Sequence, residues 1–119
     1  MKRNTSYPPE EILGHILDEI KILSELKKQL SEKQFYKDEF LKRTAVRCFE
    51  IIGEATKKLP IEFRKSNAQI NWKEMAGMRD FLIHDYLEVN YKIVWDTMKE
   101  DIPELEKQIK NLKKKLKHG

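Results

Sequence analysis

One cysteine, four glycines and four prolines are all that 119 residues hold of the types that staple or punctuate a chain. A lone Cys48 excludes an intrachain disulfide and points to a reducing compartment. So few turn-forming residues argue against a β-sandwich, which needs turn signals at short intervals. No apolar run approaches the roughly 18 to 20 residues of a membrane span. The opening "MKRNTSYPPE" has no apolar h-region, so no signal peptide is expected. A soluble, cytoplasmic protein is the expectation. There is no Gly-rich phosphate loop. His15, His84 and His118 lie far apart, and no H-x3-H, C-x2-C or E-x2-H pair occurs, so neither a metal nor a cofactor is expected. Cys48 falls on an apolar stripe and reads as a small buried residue.

What the chain does have is charge, at 37%, against 39% hydrophobic residues. That mix suits amphipathic helices. The net charge of +4 is unevenly spread, since residues 107–119 carry six lysines and no acid. Lys113, Lys114, Lys115 and Lys117 are candidate contacts to nucleic-acid phosphates, with a solvated helix face as the plainer alternative. The length fits one domain over residues 1–119, with residues 1–8 expected as a flexible N-terminus and 113–119 as a Lys-rich tail.

Apolar residues recur at spacings of three and four from Ile12 through Leu13, Ile16, Leu17, Ile20, Leu23 and Leu26 to Leu30, the stripe of one long helix. Pro9, Glu10 and Glu11 suit its start. Ser31 with Gln34 reads as a capping box. Leu41, Thr44, Cys48, Ile51, Ile52, Ala55 and Leu59 form a second stripe, stopped by Pro60. Val46, Phe49 and Gly53 add apolar or small surface on another side, which makes a subunit interface plausible there. Residues 60–70 read as a connection with a short helical turn. Asn71 with Glu74 opens a helix "WKEMAGMRDFLIH", Asn90 caps "YKIVWDTMKE", and Asp101 with Glu104 starts one more. Met98, Ile102, Leu105, Ile109, Leu112 and Leu116 keep a heptad seam. No strand pattern is found. The expected fold is an all-α, up-and-down bundle of four to six helices, forming a homodimer.

The stretch "RDFLIHDY", residues 79–86, threads an arginine, a histidine and a tyrosine through an apolar run. On a regular helix Arg79 and Tyr86 share a face, and Arg79 points into an arc of Met75, Met78 and Leu82 on one side and Trp72, Ala76 and Ile83 on the other. An arginine there needs an anion or an ion pair, for which Glu50 or Glu54 would serve. Asp80 and His84, at i and i+4, lie opposite with Gly77, where a carboxylate could fix an imidazole tautomer. Arg79 and His84 come out about 140° apart on such a helix. They converge only if the helix ends or distorts near His84, or if a second subunit completes the site.

R-x4-H-x-Y with a polar residue after the arginine resembles the HEPN superfamily, and within it the HepT-like proteins. "FLKRTAVRCFEIIGEATKKLP" and "INWKEMAGMRDFLIHDYLEVNYKIVWDTMKEDIPELEKQI" agree with it in order and spacing, so the resemblance runs from about residue 10 to 112. It implies the ribonuclease half of a toxin–antitoxin pair, whose partner is a small MNT-type nucleotidyltransferase. Arg79 and His84 then take the catalytic positions, Asp80 the supporting polar position, and Tyr86 that of the tyrosine modified with AMP to silence the nuclease. Many relatives have asparagine where Asp80 stands. The residue types suit metal-independent RNA cleavage, with His84 exchanging a proton and Arg79 stabilising phosphorane charge. Two other readings stay open: a non-catalytic module that binds a nucleotidyltransferase or nucleic acid, and a plain interaction bundle.

Overall fold

The computed structural model describes residues 7–85 and 88–118. Among them are eight helical segments and one small antiparallel ladder. The helices are α1 (Pro9–Gln29), α2 (Glu32–Lys37), α3 (Glu39–Lys57), α4 (Ile61–Ser66), α5 (Trp72–Ala76), α6 (Met78–Leu82), α7 (Tyr91–Glu100) and α8 (Ile102–His118). Strands β1 (Ile83–Asp85) and β2 (Glu88–Val89) pair between α6 and α7. The class is all-α, as expected, but two details differ. The helices outnumber the expected four to six because Asp38 and Gly77 each split a run that reads as continuous. The ladder was not expected at all.

Local chemistry explains most boundaries. Pro8 precedes α1, with Glu10 and Glu11 in the first turn and Lys27 and Lys28 in the last, so charge opposes the helix dipole at both ends. Ser31 and Gln34 form the capping box reciprocally, at 3.2 and 2.8 Å. Asp38 accepts from the Leu41 amide at 3.0 Å and so starts α3 afresh. Asn71 and Asn90 cap α5 and α7 the same way, accepting from the amides of Glu74 and Ile93.

The α1 stripe from Ile12 to Leu26 is buried against α3 and α8, and Leu30 is half-buried. On α3, Phe49 and Ile52 are fully buried, and Gly53 lies against the α5 backbone. The second apolar side of α3 is therefore covered within the chain by α5 and α6, which removes the reason for expecting a subunit interface on that side. Phe35 from the six-residue α2 sits at the centre of an aromatic group, 5.4 Å from Trp95 and 6.4 Å from Tyr91 between ring centroids. Its periphery is polar: the Tyr36 hydroxyl donates to Glu32 at 2.6 Å, and Lys92 donates to Glu32 and Asp96. These bonds hold Glu32 below the usual carboxylate range, with the Tyr36 bond the largest cause. Burial, then the bond to Glu32, pushes the Tyr36 hydroxyl up to about 12.

The seam from Met98 to Leu112 is buried, whereas Leu116 at its end is exposed. Among the described residues no helix is long and apolar enough to cross a membrane, and no cluster of three or more His, Cys, Asp or Glu could hold a metal ion.

Candidate active site

The helix opened by Asn71 does not run through to His84. It breaks at Gly77, whose φ of −90° and ψ of 3° depart from helical values. It resumes as α6 and stops at Leu82. Ile83 is extended, with φ −126° and ψ 107°, and buried; a β-branched side chain suits that backbone. The Asn90 amide then donates to the Leu82 carbonyl at 3.1 Å, which ties the two ends of residues 83–89 together. Within that loop Ile83 pairs with Val89 and Asp85 with Glu88, with a register irregularity between them.

Two geometric expectations fail as a result. Asp80 and His84 are not an i, i+4 pair on one helix, because α6 ends two residues before His84. Nor does Arg79 sit within an apolar arc. Met75, Met78 and Leu82 are buried, but the Arg79 side chain is 47% exposed. The break at Gly77 alters the 100° progression on which the arc was drawn. The His84 side chain and all of Tyr86 lie outside the described residues.

Arg79 meets two carboxylates. Its Nε is 3.4 Å from Glu50 Oε2 on α3, and its Nη1 is 3.5 Å from Asp80 Oδ1. Of the two acids weighed as partners, Glu50 is the one it reaches. The other oxygen of Glu50, Oε1, is 3.7 Å from Nη1 of Arg47. Arg47 escaped the sequence reading, although its i, i+3 spacing from Glu50 on α3 was a visible sign. The contacts are long and solvated, so each is worth only about 0–1 kcal/mol of stability. Chemically the cluster offers a solvent-facing planar guanidinium, the group best suited to a phosphate.

On another side of α6 lies a pocket of about 400 Å³, lined by Gly77, Met78, Phe81 and Leu82 with Thr97 and Asp101. Burial, followed by the nearby Glu74, raises the Asp101 carboxyl above its usual range. Phe81 remains 66% exposed at its edge. Lys113, Lys114, Lys115 and Lys117 fall on the last turns of α8, the first half-buried and the others exposed. Lys114 and Lys115 border an open hollow with Gln69, Gln108 and Asn111.

Comparison with known proteins is consistent along the chain. The family model described as "Ribonuclease HepT-like" matches residues 16–112. A protein of Caldanaerobacter subterraneus subsp. tengcongensis named "Putative RNase" is 52% identical over 109 residues, covering 92% of this chain and 97% of its own. The "Probable ribonuclease HepT" of Thermococcus cleftensis is 37% identical over 105 residues, covering 88% and 96%. No solved structure matches the chain. With a family model spanning most of its length and relatives aligned nearly end to end, the chain belongs to the HepT-like ribonuclease family.

Proposed function

We propose that this protein is a metal-independent RNA endonuclease, the toxin of a toxin–antitoxin pair, with Arg79 and His84 as its catalytic residues and Asp80 in support. The observation that carries this reading is the end of α6 at Leu82. It frees His84 from the helical geometry that would hold it about 140° from Arg79. Family membership and the R-x4-H-x-Y spacing support it further. In this mechanism His84 takes the proton of a ribose 2′-OH, which attacks the adjacent 3′-phosphate. Arg79 stabilises the charge on the phosphorane. The 5′ oxygen departs and is protonated, leaving a 2′,3′-cyclic phosphate and a 5′-hydroxyl.

The chain works as a homodimer, with a second copy completing the site. Two exposed aromatic side chains, Phe40 at 85% and Phe81 at 66%, support this, since large apolar groups gain from being covered. A partner nucleotidyltransferase of the MNT type silences the nuclease. The Tyr86 hydroxyl attacks the α-phosphate of ATP, pyrophosphate leaves, and the AMP adds bulk and negative charge that repel RNA. Lys113, Lys114, Lys115 and Lys117 add phosphate contacts.

The test is RNA cleavage in excess EDTA, wild type beside His84→Ala. Cleavage by the wild type alone, with cyclic phosphate ends, is expected; equal cleavage by both, or 5′-phosphate ends, would overturn the mechanism. Light scattering of the purified chain checks the dimer. Intact mass after incubation with ATP and the partner checks the adduct on Tyr86.

A second reading has its own support. The Arg79–Glu50 pair is also what a purely structural arginine would make, and it favours a non-catalytic module that binds a nucleotidyltransferase or nucleic acid. Such a module would bind RNA without cutting it, and binding would depend on Arg79 and the lysines rather than on His84.

A further inference from the structure

We infer that Glu50 is a positioning residue for Arg79: it holds the guanidinium by its Nε side, while Arg47 on its other oxygen keeps the carboxylate turned toward that contact. This rests on the ribonuclease reading for its catalytic consequence, but the pairing itself does not.

The carboxylate stands between two cations, with Oε2 toward Arg79 and Oε1 toward Arg47, at 3.4 and 3.7 Å. Its side chain is 26% exposed, less than that of either arginine, at 47% and 62%. The anchor of the trio is thus its most enclosed member, and the arginines lie outward. Glu50 and Asp80 between them meet Nε and Nη1, two of the three guanidinium nitrogens. A guanidinium so held has lost freedom that it would otherwise lose on meeting a phosphate. Stability does not explain the arrangement, because solvated pairs of this length contribute little.

The scaffold beneath is built to fix the distance. Gly53, three residues beyond Glu50 on α3, lies so close to the end of α5 that a β-carbon there would come within 3.2 Å of the Ala76 carbonyl oxygen. Arg79 follows three residues after Ala76. This tight contact between α3 and the end of α5 therefore sits about one turn from the ion pair.

A negative charge beside Arg79 also opposes phosphate binding, which separates orientation from affinity. Removing Glu50 relieves a repulsion in the bound state while freeing the guanidinium to wander. In Glu50→Ala, kcat should fall between about tenfold and a hundredfold, the scale of a small misplacement of a catalytic group. KM for the RNA should be unchanged or lower. Glu50→Gln, which keeps the side chain's shape and an oxygen toward Nε but not its charge, should retain more of the rate. A merely structural role would lower the melting temperature without splitting kcat from KM in this way. Unchanged kcat in Glu50→Ala, or a raised KM with kcat intact, would overturn the proposal.

A second measurement does not depend on turnover. The Nε–H resonance of Arg79, assigned by its loss in Arg79→Lys, should shift in Glu50→Ala. An unaltered resonance would overturn the pairing whatever the activity shows. If the wild type cuts no RNA, the ribonuclease reading fails by itself, and this resonance still decides whether Glu50 holds Arg79.

Discussion

Gly53 on α3 faces the carbonyl oxygen of Ala76 at the end of α5 so closely that a β-carbon would lie 3.2 Å from that oxygen, tighter than side chains ordinarily pack. Substituting valine must push the two segments apart. Gly53→Val should cost about 1–3 kcal/mol, the usual penalty for overpacking, measured by urea denaturation. It should also lower RNA cleavage more than the loss of folded protein accounts for, because α6 and Arg79 follow directly. Full activity in the folded fraction would show that the spacing does not matter to the site.

Arg79→Lys should behave nearly as badly as Arg79→Ala. Lysine keeps the charge but loses the planar donor set and the Nε that meets Glu50. A loss of about 10²–10³-fold in kcat is expected, as for removal of one transition-state donor. Circular dichroism should show both variants folded, since the side chain is half exposed. A lysine variant of near-normal rate would reduce Arg79 to a simple positive charge.

Cys48 gives the chain an alkaline weakness. Burial, with Glu19 nearby, pushes its thiol up to about 12 from an ordinary value near 9. Above pH 9 the unfolded chain releases this proton while the folded chain still holds it. Stability therefore falls as pH rises from about 9 towards 12. Melting curves over the accessible lower part of that range should decline less steeply for Cys48→Ala than for wild type. The same burial predicts slow reaction with thiol reagents until the chain unfolds. Equal slopes for the two proteins would contradict the shift.

Replacing Lys113, Lys114, Lys115 and Lys117 together with glutamine should weaken RNA binding and flatten its dependence on salt. Each lysine that meets a phosphate contributes about 0.7 to the logarithmic slope for single strands. Fluorescence anisotropy at several salt concentrations measures it. An unchanged slope would leave these residues as a solvated end of α8.

Much of the scaffold was readable because its signals are local. The α1 stripe is periodic, Ser31 and Asn71 reveal their caps by Gln34 and Glu74 three residues on, and Asn90 by its type just before an apolar-periodic run. Phe35 was not readable as the centre of an aromatic group, because a six-residue helix is too short to display a period. The candidate site was readable in its residue types but not in its geometry. Nothing local to "RDFLIHDY" announces that Gly77 breaks the helix or that Leu82 ends it. Those breaks depend on α3 coming close at Gly53 and on Ile83 being buried in extended form. The angles drawn from an unbroken helix therefore misplaced Arg79, and only the packing of α3 beside it decided between its two candidate partners, Glu50 and Glu54, in favour of Glu50.

The bond from the Asn90 amide to the Leu82 carbonyl closes residues 83–89 at the neck. A loop tied there is anchored by Leu82 in the core and the α7 cap at Asn90, and from within by Ile83, itself in the core, and Val89, packed against it. Changes at Ile83 or Val89 therefore reach the packing that keeps the protein folded, so that what this loop presents and how firmly the bundle holds are altered together.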